Sequence, residues 1–142
     1  MVYVLLVLGT STAKDVPMER IAPRLANIPS VAALSPGDAN AFRERFDLDP
    51  EGCEGWLLYA SDDLMDVSEL LVVKAADGTV RDRIEAAADA RLAAQKESFR
   101  NYGTDQYALL GHAPLWQRGD YLFYGVSESV DRWEEIFLSC IR

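Results

Sequence analysis

Gly119-Asp-Tyr-Leu-Phe-Tyr-Gly-Val-Ser127 contains the run whose reading decides the fold. Gly119-Asp120 is a turn signal, and residues 121–127 are too few and too rich in aromatic and β-branched side chains to be a helix. Tyr121, Phe123 and Gly125 alternate with Leu122, Tyr124 and Val126, so neither face of this strand is polar. A strand apolar on both sides needs cover on both sides. Working backward, residues 113–117 supply the other arm of a hairpin. Residues 54–60 (Trp56, Leu57, Leu58, Tyr59) and 68–75 (Leu70 to Val73) repeat the two-sided apolar pattern, joined by the polar stretch Ser61 to Asp66.

Helices fill the rest. Asp77-Gly78-Thr79 turns into the longest, about 80–101, with Gly103 at its stop. Val130, Trp133, Phe137, Cys140 and Ile141 share one face of a terminal helix capped by Ser127 or Ser129. Upstream, Met18, Ile21, Leu25 and Ile28 give a helix between Pro17 and Pro29. Ser35-Pro-Gly-Asp38 starts a short helix carrying Ala39, Phe42 and Phe46, and Asp49-Pro-Glu-Gly52 turns out of it. The order is ααββαββα, an α+β domain over residues 16–142 with a four-stranded, mainly antiparallel sheet. The long and terminal helices are expected on one face, and the two N-terminal helices on part of the other.

The 142 residues suit one domain, and 49% hydrophobic content with 26% charge reads as globular. Fourteen basic against 23 acidic residues leave a net charge of −9. Arg81, Arg83 and Arg91, the densest basic group, are interleaved with Asp82, Glu85 and Asp89, so no basic stripe exists for nucleic acid or an anionic membrane. Residues 1–15 hold an apolar run, Val2 to Gly9, too short to span a bilayer. Ser11 and Ala13 come after it with the spacing of a secretory cleavage site, which reads as the remnant of an export signal or anchor. No Lys or Arg precedes the run, and a buried strand is the alternative.

Motifs of chemistry are weak. One histidine, His112, and two distant cysteines, Cys53 and Cys140, make neither a zinc site nor a Cys-x-x-Cys pair, and no metal or cofactor is expected. Cys140 on an apolar helix face and Cys53 in a turn read as separate thiols. Gly125-Val-Ser127-Glu-Ser129 lacks the last glycine of a nucleophile elbow. Asp62, Asp63, Asp66 and Glu69 lack calcium-loop spacing and read as a solvated acidic loop. Arg118-Gly-Asp120 spells an adhesion tripeptide, but Gly-Asp is simply a good turn.

Arg91-Leu-Ala-Ala-Gln95-Lys-Glu-Ser-Phe99-Arg-Asn-Tyr102, then Asp105-Gln106, then Gly119 to Ser127, resembles the bacterial family catalogued as domain of unknown function 4358. The resemblance runs from about Val16 to the C-terminus. It implies an extracytoplasmic, membrane-tethered lipoprotein-like domain and transfers no activity. A lipobox cysteine has no counterpart near this N-terminus.

The residues carrying the resemblance are also odd by their own spacing. Val80, Ile84, Ala87, Ala88, Leu92, Phe99 and Tyr102 form one helical face, and Arg91 and Gln95 fall within the same arc. A guanidinium there must find a carboxylate or carbonyl, or reach solvent along its stem. The structural reading gives Arg91 such a partner. The functional reading makes Arg91, Gln95, Tyr102, Gln106 and Tyr121 a ligand site. The leading expectation is a tethered binding or interaction module of the cell envelope, using an aromatic sheet surface or the Arg91/Gln95 region, with an unknown envelope protein or small ligand as partner. An enzyme with an Arg91/Tyr102 pocket and a purely structural envelope domain are the alternatives. No residue is expected to be catalytic.

Overall fold

The computed structural model describes residues 13–101 and 103–142. Among them, six helices, α1 (Met18–Ala26), α2 (Pro29–Ala32), α3 (Ala39–Phe46), α4 (Gly78–Phe99), α5 (Thr104–Gly111) and α6 (Val130–Ile141), enclose one five-stranded sheet. Its strands are β1 (Ser35–Pro36), β2 (Cys53–Ala60), β3 (Glu69–Ala75), β4 (Leu115–Arg118) and β5 (Tyr121–Val126), in the order β1-β2-β3-β5-β4. Every pairing is antiparallel, as expected. The fifth strand is an addition to the four expected. Ser35-Pro36, which reads in the sequence as a helix lead-in, pairs with Ala60 and Tyr59 instead. Pro36 suits this place because an edge strand tolerates a missing N–H.

Local chemistry sets the element ends. Asp38 accepts a hydrogen bond from the Ala41 amide and Asp77 one from the Val80 amide, so both are side-chain N-caps. Gly119 opens the β4–β5 turn at φ 59°, where any side chain would be strained. The adhesion-like tripeptide is thereby absorbed into structure: the Gly119 carbonyl accepts from Arg81 and the Asp120 carbonyl from the Ala75 amide. At the far end, Ser129 is the N-cap residue of α6 but makes no side-chain cap bond, and Ser127 Oγ accepts from the Ser129 amide.

Two-sided strands receive two-sided cover. Leu57, Leu70, Val72, Tyr121 and Phe123 pack with α1, α2 and α6, and Trp133 and Phe137 lie at the centre of that cluster. Leu58, Leu71, Val73, Leu122 and Tyr124 pack with α3, α4 and α5. The long and terminal helices therefore lie on opposite faces, not on one as expected. Helical periodicity shows that a helix has a buried stripe, but not which face of a two-sided sheet receives it. Cover is closest at Gly55, where a Cβ would lie 2.4 Å from Met18 Cγ, so only glycine lets α1 pack there.

The same layering separates the cysteines. Cys53 packs against the α4 cluster and Cys140 against the α6 cluster, and both thiols are free. Burial pushes the Cys53 thiol up to about 11, with Arg83 only partly opposing it. It stays protonated at pH 8. The expected result of thiol titration on unfolded, unreduced protein is two free groups per chain. In the folded protein, Cys53 should react about 100-fold more slowly at pH 8 than an unperturbed thiol, in proportion to its thiolate fraction. Fast labelling of Cys53 in native buffer would refute the assignment.

Candidate functional site

The sheet has two different ends. At one, Cys53, Ala75, Arg118 and Tyr121 come together; at the other, Ala60, Glu69 and Val126. Each end carries polar residues that the fold holds in place.

At the first end lies residue run 13–16. The Lys14 amide donates to the Ile141 carbonyl at 2.7 Å, and Ala13 sits over Gly119. Tyr121 Oη accepts from the Val16 amide at 2.8 Å and donates to the Val16 carbonyl. Asp15 pairs with the buried Lys74, whose ammonium also lies over the Tyr121 ring. Tyr121 is thus a buried fastener of the N-terminal strap and offers no free hydroxyl to a ligand.

At the second end, on the α4 face, Glu69 is 1% exposed and fully partnered. Arg91 Nε donates to its Oε2 at 3.1 Å and Arg91 Nη2 to its Oε1 at 3.0 Å, a bidentate pair. Arg45 Nη1 reaches Oε1 at 3.1 Å and Tyr124 Oη donates to Oε2 at 2.7 Å. Burial and the adjacent carboxylate push the Tyr124 phenol far up, so it remains a donor. Arg91 thereby takes the structural role. Gln95, one turn further along α4, is half-buried and stands outside this network. Tyr102 lies outside the described residues. Glu69 is also a correction to the acidic loop. Asp62 and Asp63 are solvated, but Glu69 faces inward with Leu71 and Val73. That phase is readable, since positions 69, 71 and 73 share one side of a strand.

Beyond the strand ends at this second end opens a cleft of about 410 Å³. Ser61 lies just after β2, Ser68 just before β3 and Ser127 just after β5; Ser30 and Leu34 come from the α2 segment, Gln106 and Leu109 from α5. Gln106 and Ser127 are held by backbone amides and Ser30 by an indole. Gln106 Oε1 accepts from the Val67 amide at 2.8 Å, leaving its amide N–H groups to point elsewhere. Ser30 Oγ accepts from the Trp133 indole and Ser127 Oγ from the Ser129 amide, so each hydroxyl keeps its proton for donation. The charges present are Asp66 and Glu128, and no basic residue among the described residues lines the cleft. Burial raises the Asp66 carboxyl, but hydrogen bonds from Ser68 and Ser61 outweigh it and hold the group below its usual range.

Of the four expected ligand residues that are described (Arg91, Gln95, Gln106 and Tyr121), the cleft contains Gln106 alone; its serines carry no ligand signal in the sequence because they read as strand-end or cap residues. They converge only when β2, β3 and β5 align in register. His112 is exposed, and Ser127 is tied to its own turn.

The family model described as Domain of unknown function (DUF4358) matches residues 29–127. That segment holds the whole sheet, the Glu69 network and every cleft residue except Glu128 and Ser129, while α1 and α6 lie outside it. No curated protein and no solved structure matches the chain. With the match extending over more than half of its length, the chain belongs to the DUF4358 family of domains of unknown function.

Proposed function

We propose that this chain is an extracytoplasmic, membrane-tethered binding module of the bacterial cell envelope, and that the serine-lined cleft is its ligand site. The observation that carries the reading is polarity along the sheet. The chain enters through the strap of residues 13–16 at one end, and the cleft opens at the other. A domain held through residues 1–12 would present its cleft away from the point of attachment. None of the helices among the described residues is long and apolar enough to cross a membrane, so the tether would reside in the N-terminal segment.

The lining indicates the ligand class. Hydroxyl protons of Ser30 and Ser127 and the Gln106 amide are neutral donors, fixed by the Trp133 indole and by backbone amides and suited to carbonyl or hydroxyl oxygens. Asp66 and Glu128 repel anions. A neutral, oxygen-rich molecule fits.

Two measurements test the two halves separately. Alkaline phosphatase fused to the C-terminus should be active and membrane-associated in a bacterial host. Deleting residues 1–12 should release or mislocalise it, and a soluble cytoplasmic fusion would refute the tether. For the cleft, N-acetylglucosamine titrated into labelled protein should shift the amides of Ser61, Ser68, Gln106 and Ser127, and inorganic phosphate should not. Gln106→Glu keeps the acceptor for Val67 but replaces the donor with a charge, and should weaken the sugar about tenfold or more. Shifts elsewhere, or none at all, would remove the cleft from the proposal.

A further inference from the structure

A second surface lies along β4. The Gly125 amide donates to the Pro114 carbonyl, which makes 114 and 125 a hydrogen-bonded pair of the antiparallel ladder. Alternation then turns Trp116 and Arg118 toward β5, and the backbone N–H and C=O groups of Leu115 and Gln117 outward. Among the described residues no strand pairs with that outer edge, since β4 ends the sheet order. Edges of this kind are templates for another strand unless something blocks them.

Alongside the edge runs a groove of about 450 Å³ between β4 and α4. Its apolar floor is Leu92, Ala113 and Leu115, and its helical wall carries Asp82, Glu85 and Asp89. Asp82 Oδ1 accepts from the Gln117 amide side chain at 3.2 Å, joining wall to strand. Neither Glu85 nor Asp89 has an ion-pair partner among the described residues. At about 1.5 Å per residue the three carboxylates span about 10 Å of helix. Same-side residues of an extended strand recur about every 6.7 Å. Two to three alternate side chains of an added strand would therefore face the acidic wall.

We infer that the β4 edge and the α4 groove bind an extended basic peptide segment as an added strand. Backbone pairing to Leu115 and Gln117 gives the binding, and Lys or Arg at alternate positions gives the selectivity through Asp82, Glu85 and Asp89. A second copy of this chain is disfavoured, because it would bring a second acidic wall to the first. This surface is independent of the serine cleft, and its lining shares no residue with it.

The test uses the whole chain and a synthetic Thr-Lys-Val-Lys-Val-Lys-Thr peptide, tracked by anisotropy and by amide spectra. The peptide should shift and protect the amides of Leu115 and Gln117, with affinity falling as salt rises. Combined Asp82→Asn, Glu85→Gln and Asp89→Asn should weaken it about tenfold, as exposed charge pairs do. Gln117→Pro removes an outward N–H without touching the β5 ladder, and should also weaken the peptide about tenfold while circular dichroism stays unchanged. A peptide with glutamate for lysine should not bind. The inference is overturned if a backbone N-methylated peptide binds equally well, if the neutralised variant binds as before, or if shifts avoid β4. Concentration-dependent dimerisation through β4 that the peptide does not displace would overturn it as well.

Discussion

Arg91→Ala should cost about 3–5 kcal/mol of folding stability, the usual result when one partner of a buried ion pair is removed and the other is left behind. The remaining group is Glu69, 1% exposed in the strand next to β5. Arg91 itself keeps 18% of its side chain in solvent, while Arg45, at 29%, supplies only one hydrogen bond. Arg45→Ala should therefore cost clearly less, because the bidentate Arg91 contact survives. Arg91→Lys should fall between, since an ammonium cannot reproduce the planar fork on both carboxylate oxygens. A domain of this size has about 5–15 kcal/mol in total, so Arg91→Ala should lower the melting temperature by about 10–20 °C. A double-mutant cycle of Arg91→Ala with Glu69→Gln should show strong coupling. An unchanged denaturation midpoint in Arg91→Ala, with a ligand lost, would return Arg91 to the functional reading.

The Arg91 case shows what is legible in the sequence and what is not. Helical phase places a guanidinium on a buried stripe, and the requirement for a partner comes from desolvation alone. The partner's identity does not. Glu69 lies 22 positions away on another element, and its neighbours Asp62, Asp63 and Asp66 suggest a solvated loop. Strand phase is the available signal and is outweighed by local composition. The same limit appears in the helices: Trp133 and Phe137 mark the buried stripe of α6, yet nothing in that stripe tells which side of the sheet it meets. Hairpins, caps and the long helix depend on residues a few positions apart, and there local reading succeeds. The cleft depends on register between three strands and two helices, which is a tertiary property.

The ion-pair network and the cleft share one strand end. Glu69 turns inward from the first position of β3, and Ser68 beside it lines the cleft. Gln106 reaches the same segment by accepting from the Val67 amide. Loosening the ion-pair network would loosen the cleft rim. Arg91→Ala is thus expected to weaken cleft ligands indirectly as well, by a factor that shrinks when stability is restored by a stabilising additive.

Trp133→Ala should be as costly as Arg91→Ala, at about 3–5 kcal/mol, by a different mechanism. Trp133 is wholly buried at the centre of the α6 cluster, and its indole donates to Ser30 Oγ at 2.8 Å. Truncation removes a large apolar surface, leaves a cavity under the sheet and frees the serine that lines the cleft. Trp133→Phe separates these effects. It retains most of the packing and deletes the N–H, so its cost should be about 1–2 kcal/mol, near that of one hydrogen bond plus a small void. Ser30→Ala makes the complementary cut and leaves the indole donor orphaned within the core, which should cost about 1–3 kcal/mol. Combining the two should cost less than the sum, because the second change removes a group already unpaired. The cleft provides the second readout. With Trp133→Phe, Ser30 loses its fixed donor and its hydroxyl can rotate, so N-acetylglucosamine binding should weaken even though the fold is retained. Urea denaturation of the three single variants and the double variant measures the first effect and amide shifts at Ser30 the second. Additive costs in the double variant would show that the indole–serine bond does not couple α6 to the cleft.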